Sequence, residues 1–279
     1  MRIVVPIKQV PETGNVKMDE ETGTIIRDGN ESIINPLDLY GIEEAIRLRE
    51  DHGGRVTVIS MGPPAAEKAL REAVAMGCDD ALLISDRAFA GSDTWATAYV
   101  LAEAIKKLGS YDLIIAGERA TDGDTGQVGP NIAAALDLPI ASFIGSLELL
   151  PNGEAVRVER LVEEGYELLE IPLPALVTVV KEIAYPRLPT LRGKQKAKRL
   201  EIERWGVDSL EVDAAKIGLK GSPTRVVKIE SPKVMRKGSS VGVKDEESLR
   251  DAVSALISYL EEKGFVSREQ ITAKEARHG

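Results

Sequence analysis

The first half of the chain alternates short apolar runs with longer stretches whose apolar positions recur at helical spacing. Residues 2–7 read as a first strand, and residues 55–61, 81–85 and 113–116 repeat the pattern. The first helix is expected to start at Asn35-Pro36, with Asn as the cap and Pro at the first helical position. It runs to about Arg49 on an apolar face of Leu39, Ile42, Ala45, Ile46 and Leu48, and Gly53-Gly54 ends it. A second helix follows Gly62-Pro63-Pro64 and ends near Met76-Gly77. A third, capped by Ser92 or Asp93, ends at Lys107 ahead of Gly109, and a fourth passes through residues 132–136. Short apolar strands separated by helices predict an α/β fold, a doubly wound parallel sheet with helices on both faces.

After Pro139 the period changes to two. Residues 146–150, 155–161 and 166–171 alternate apolar and polar positions around the turn signals Pro151-Asn152-Gly153 and Glu164-Gly165. They predict an antiparallel meander inserted at about 143–171. Residues 175–180 are uniformly apolar, as a buried strand requires. Three stretches are expected to be irregular: 11–34, with a small hairpin through Thr24-Ile25-Ile26; 183–203, with prolines and the basic run Lys194-Gln195-Lys196-Ala197-Lys198-Arg199; and 217–244. Asp245 is predicted to cap a final helix ending near Lys263, followed by a tail over 265–279. The expected organisation is an α/β nucleotide-binding domain over 1–190 and a C-terminal arm with its terminal helix over 191–279.

The 279 residues are 43% hydrophobic, enough for one α/β core with appendages. The formal net charge of −9 speaks against general nucleic-acid binding. No run approaches the ~18 apolar residues of a transmembrane helix. One cysteine, Cys78, excludes an internal disulfide, and with only His52 and His278 no Cys/His metal site is expected. The N-terminus opens directly as a strand, without the zones of a signal peptide, so a cytoplasmic protein is expected.

In open parallel sheets, ligands bind beyond the carboxyl ends of the strands. Three loops there stand out: Asn35-Pro36-Leu37-Asp38, Met61-Gly62-Pro63, and Gly117-Glu118-Arg119-Ala120-Thr121-Asp122-Gly123-Asp124-Thr125-Gly126-Gln127-Val128-Gly129-Pro130. The glycines of the third let the backbone approach a ligand, and it feeds a helix whose free N–H groups suit a phosphate. Thr125 and Gln127 add neutral donors, and Asp122 and Asp124 are available to ribose hydroxyls. An ordinary βα loop ahead of a solvated helix would carry the same residues. No P-loop, no G-x-G-x-x-G after the first strand and no G-x-S-x-G elbow occurs. The two histidines support no Ser-His-Asp arrangement. The sheet top therefore offers nucleotide-holding groups and no catalytic acid, base or nucleophile, which fits a protein whose cofactor carries the chemistry.

These pieces together resemble the small (β) subunit of electron-transfer flavoproteins. The resemblance runs from Met1 to about Lys263. It is carried by Val5-Pro6-Ile7-Lys8, Asn35-Pro36 before Ile42-Glu43-Glu44-Ala45-Ile46-Arg47-Leu48, and Met61-Gly62-Pro63. It continues through Ala73, Met76-Gly77-Cys78-Asp79, Pro172-Leu173-Pro174-Ala175-Leu176-Val177-Thr178, Pro186-Arg187 and Thr190-Leu191. It implies a heterodimer with a large (α) subunit that holds FAD, a second nucleotide in this chain, and a C-terminal segment wrapped onto the large subunit. Pro6, residues 35–38, Met61 and residues 117–128 fall on the family's nucleotide-contacting positions. Thr190 and Leu191 fall on the loop that the family inserts into partner dehydrogenases, with Leu191 as its anchor.

Housekeeping members carry a loop like Ala-Ile-Asp-Asp-Asp-x-Asn-Gln-Thr-Gly and hold AMP. Residues 120–130 are instead similar to the bifurcating members' Ala-Ile-Asp-Gly-Asp-Thr-Ala-Gln-Val-Gly-Pro, departing from it at Thr121 and Gly126. The Glu that the housekeeping members place after Glu-Arg in the meander is Leu161 here. The resemblance thus implies FAD as the bound cofactor, NADH as donor, and electron bifurcation. One electron would go to a ferredoxin or flavodoxin, the other through the large subunit's FAD to a dehydrogenase or quinone-linked partner. The alternatives are a non-bifurcating subunit with structural AMP and a stand-alone adenine-nucleotide-binding enzyme. Against the latter, the position after the first strand, Pro6-Ile7-Lys8-Gln9-Val10, lacks the glycines such enzymes use.

Overall fold

The structure, a computed structural model, describes residues 1–12, 32–227, 238 and 240–265. The chain divides into two compact units, Met1–Ile229 and Glu230–Gly279, and the 190/191 boundary expected from sequence lies inside the first.

The elements of the first unit are β1 (Arg2–Pro6), β2 (Gln9–Pro11), β3 (Ser32–Ile34), α1 (Asp38–His52), β4 (Arg55–Met61), α2 (Glu67–Met76), β5 (Asp80–Ile84), α3 (Thr94–Leu108), β6 (Leu113–Gly117) and α4 (Val128–Leu136). They continue with β7 (Ile140–Leu149), β8 (Ala155–Val162), β9 (Gly165–Pro172), β10 (Ala175–Val179), α5 (Leu191–Arg199), β11 (Glu203–Trp205) and the single turn α6 (Gly218–Gly221). Strand order in the main sheet is β11-β5-β4-β1-β6-β10-β7-β8-β9. Pairing is parallel from β11 to β7 and antiparallel through β7, β8 and β9. This is the doubly wound sheet and meander that the change of period predicts.

Alternate residues of each strand feed opposite cores. Ile3, Val5, Val58, Ile115 and Val177 face α1 and α2, whereas Val4, Ile59, Ile84, Ile114 and Leu176 face α3 and α4. Cys78 is a free, buried thiol in the first of these cores.

Three expectations need correction. Asn35 is not the helix cap: α1 begins at Asp38 with Leu37 at the cap position, and the Asn35 side chain turns inward instead. Residues 191–199 are helical rather than irregular. Thr190 caps α5 by accepting from the Gly193 N–H at 2.9 Å, and the helix lies so close on α2 that a Cβ on Gly193 would collide with the Ala75 carbonyl. Residues 203–205 then add β11 to the edge of the sheet beside β5. At the two ends of the 11–34 stretch β2 and β3 pair antiparallel, while the hairpin expected at Thr24 lies outside the described residues.

In the second unit, Asp245 caps α7 (Glu246–Glu262) as predicted, accepting from the Ser248 N–H at 2.8 Å. The tail beyond Phe265 lies outside the described residues.

Candidate functional site

From β1 the chain builds outward to β4 and β5, then returns to place β6 on the other side of β1. Such a reversal opens a crevice at the strands' carboxyl ends. Pairing between β1 and β6 ends at Val4–Ile114, although β1 continues to Pro6 and β6 pairs with β10 as far as Gly117–Val179. A cleft of about 950 Å³ occupies this position.

Of the residues expected from sequence, Pro6, Asp38, Met61, Gly117, Glu118, Arg119, Ala120, Gly123, Thr125, Gly126, Gln127 and Val128 line the cleft. Asn35, Pro36, Leu37, Thr121, Asp122 and Asp124 do not line it. Several of these brace the loop instead. Asn35 is fully buried; its Nδ2 donates to Asp38 Oδ1 at 2.9 Å and to the Arg119 carbonyl at 2.9 Å, and its Oδ1 accepts from the Thr121 N–H at 3.1 Å. Asp122 holds Lys8 Nζ at 2.6 Å, and Asp124, at a φ of 52°, holds Arg119 at 2.8 Å. The Gly117–Val128 connection is thereby tied to the segment that follows β1 and to the one that leads into α1.

Asp38 sits where these ties meet. Its Oδ2 accepts from the Lys8 N–H at 2.7 Å. Burial pushes its carboxyl up to about 7, against the opposing pull of that bond, of Asn35 and of the Lys8 charge. Gly117 is required beside it, because a Cβ there would overlap Asp38 Oδ1 and come within 2.9 Å of the Leu37 carbonyl. Gly123 differs: a Cβ would meet nothing within 4 Å, so its side faces open space. At the far end of the loop, α4 begins without a capping side chain, which leaves its first N–H groups free at the cleft. Gly129 lets that start lie directly on β10, where a Cβ would stand 2.7 Å from Thr178 Cγ2.

These groups fit a phosphate-bearing nucleotide: free helix N–H donors, backbone approach at glycines, an open position at Gly123 and an apolar floor from Pro6, Met61 and Ala116. Sequence reasoning missed the wall formed by Ser85, Asp86, Arg87 and residues 89–94, joined by Arg204 of β11. The available signal was its position after β5, at the same end of the sheet. Among the described residues, no cluster of His, Cys, Asp or Glu is arranged to hold a metal, and no helix is long and apolar enough to cross a membrane.

Away from the cleft, Thr190 and Leu191 stand at the start of α5. The segment before them is clamped to α1 by Arg187, which bonds Glu43 at 2.9 Å and Glu50 at 2.7 Å. Tyr185, Leu188 and Leu191 are left 94%, 84% and 82% exposed around this clamp.

The electron transfer flavoprotein domain model matches residues 22–210. The electron transfer flavoprotein subunit beta of Thermoanaerobacterium thermosaccharolyticum is 49% identical over 259 residues, covering 92% of this chain and 98% of that protein. The caffeyl-CoA reductase-Etf complex subunit CarD of Acetobacterium woodii is 40% identical, covering 95% of this chain and all of that protein. Protein FixA of Azotobacter vinelandii is 41% identical, covering 93% and 94%. With a cleft suited to a nucleotide and relatives matched along nearly their whole lengths, the chain belongs to the electron transfer flavoprotein family, as a small (β) subunit.

Proposed function

We propose that this subunit holds FAD in the sheet-top cleft and serves as the entry point for electrons from NADH in a bifurcating heterodimer. The observation that carries the reading is the extent of the cleft, which crosses the ends of β6, β1, β4 and β5. At about 4.8 Å per strand this spans roughly 14 Å, so a nucleotide extended from the α4 start would run across all four strand ends. The open side of Gly123 and the residue 120–130 pattern support the same choice of FAD over AMP.

When bound, the flavin supplies hydride acceptance and release of electrons one at a time. The chain's own groups bind and orient. The α4 N-terminus, Thr125 and Gln127 take phosphate oxygens. Asn35 and Asp38 hold the loop in place, and Pro6 and Met61 exclude water from the floor. No side chain acts as acid or base on a substrate. That chemistry would supply one electron to a ferredoxin or flavodoxin and the other, through the α subunit's FAD, to a dehydrogenase or quinone-linked partner. The relatives that support this are a subunit of a caffeyl-CoA reductase-Etf complex and the FixA proteins.

The C-terminal arm docks on the α subunit in this reading. α7 buries none of its residues, and Leu249, Val253 and Leu256 lie exposed along it, an apolar face that a partner would cover. Leu191, with Thr190 behind it, enters the partner dehydrogenase, and the assembly works in the cytoplasm. The deciding experiment counts nucleotides released from the denatured, co-expressed heterodimer. Two FAD per heterodimer and no AMP is the expected result. One FAD with one AMP would overturn the FAD assignment and leave a structural and docking subunit.

A further inference from the structure

The cleft has a half that the three sequence-marked loops do not account for. Beyond β4 it is bounded by the β5–α3 connection and by Arg204. Thr94, on this wall, donates to Gln127 Oε1 at 2.8 Å, so the wall is continuous with the start of α4.

Four cationic side chains line the whole cleft: Lys8, Arg87, Arg119 and Arg204. Lys8 is held by Asp122 at 2.6 Å, Arg119 by Asp124 at 2.8 Å, and Arg204 stands 3.8 Å from Glu67. Arg87 has no acidic partner among the described residues. The two carboxylates nearest it in sequence on this wall are already engaged. Asp86 accepts from the Ala88 N–H at 2.9 Å and the Val207 N–H at 3.1 Å. Asp93 accepts from the Ala96 N–H at 3.0 Å, and from the Thr224 N–H and hydroxyl at 2.9 and 2.8 Å. Backbone donors hold Asp86 below the usual carboxylate range; at Asp93 burial acts upward, and the donors still keep it low. Arg87 itself opens a single turn, Arg87–Phe89, that buries Phe89 in the core and leaves Arg87 exposed where it lines the cleft. A planar guanidinium without a carboxylate, on a wall whose other cation, Arg204, reaches only a Glu67 already held by Arg71 at 2.7 Å, attracts a phosphate.

We propose that Arg87 anchors a phosphate group of a nucleotide lying across the cleft, in the half bounded by the β5–α3 connection. The inference rests on the reading of the cleft as a dinucleotide site. The phosphate has two sources, the diphosphate of the bound FAD or that of NADH approaching it.

The test uses the purified heterodimer as wild type, Arg87→Gln and Arg87→Lys. FAD affinity is measured by titration into the nucleotide-depleted protein, and the KM for NADH is measured in reduction of the bound flavin. Arg87→Gln is expected to weaken one of the two by about tenfold or more, with Arg87→Lys recovering part of the loss and thermal unfolding unchanged. Weakened FAD binding at an unchanged KM places the flavin diphosphate at Arg87; the reverse places NADH there. Less than a twofold change in both overturns the proposal. Wild-type heterodimer found with AMP in place of the second FAD would defeat the FAD reading separately. Arg87 would then be judged on AMP retention: loss in the Gln variant keeps the anchor, and no loss removes it.

Discussion

Asn35 and Thr121, 86 positions apart, are joined by a hydrogen bond from the Thr121 N–H to Asn35 Oδ1. The same buried side chain also donates to the Arg119 carbonyl and to Asp38. Asn35→Ala would leave buried donors and acceptors unpaired, at a cost of about 2–3 kcal/mol in denaturant unfolding, and would release the cleft nucleotide. Asn35→Asp keeps the acceptor for Thr121 but sets a second carboxyl against Asp38. That pair is relieved when one member holds a proton, so nucleotide retention by this variant is expected to be better near pH 5 than near pH 8. A variant whose retention does not change with pH would show that the Asn35–Asp38 contact does not govern the loop.

Two glycines of one loop separate packing from ligand contact. Gly117→Ala is expected to destabilise the fold by about 1–3 kcal/mol, because the added methyl meets Asp38 and the Leu37 carbonyl. Gly123→Ala meets nothing and is expected to unfold within about 0.5 kcal/mol of the wild type. A fall in FAD content at an unchanged midpoint in Gly123→Ala would therefore report contact with the ligand; normal content would place the ligand elsewhere along the loop.

Glu44 makes stability depend on pH. Burial raises its carboxyl from 4.5 to about 7, with Arg47 at 3.0 Å pulling the other way. Its folded-state value lies above the unfolded one, so the fold favours the protonated form. That contribution is complete below about 4.5 and is lost as pH rises through about 7. Relative to Glu44→Gln, the wild type should lose on the order of a few kcal/mol across this window, read from denaturant midpoints. Parallel curves for the two proteins would contradict it.

The strands at the centre of the sheet were legible because their apolar runs are filled on both faces; β4 has the bounds its pattern predicts. α5 was not, because Leu191–Arg199 offers only Leu191 and Ala197 as apolar positions, and one of these points to solvent. Its signals were Thr190 as a cap and Gly193 at a close approach to α2. β11 is too short and too polar to show a period. At the site, the glycine-rich loop announced itself, whereas Asn35 ahead of a proline imitates a helix cap and is in fact a brace. The Asp86–Asp93 wall hides because its carboxylates read as ordinary caps, and Arg87 stands out only once the ion pairs of Lys8 and Arg119 are in place.

Leu191 gives a prediction free of folding effects. At 82% exposed it contributes little to the core, so Leu191→Ala should unfold as the wild type does while reduction of the partner dehydrogenase slows by about tenfold or more. Arg187→Ala should slow the same transfer and also lower stability, since it leaves the buried Glu43 without its guanidinium. An unchanged transfer rate in Leu191→Ala would place the docking contact elsewhere.

β11 gives the order of the chain a practical meaning. Residues 203–205 pair with β5, so the central sheet is covered on that flank by a segment made after α5. A fragment ending before Glu203 would present β5 as a bare ribbon of unpaired N–H and carbonyl groups, open to self-association strand against strand. The main sheet is thus finished only when the ribosome has passed α5, and a nascent or truncated chain missing its final strand would be a substrate for chaperones before it could be a subunit of the heterodimer.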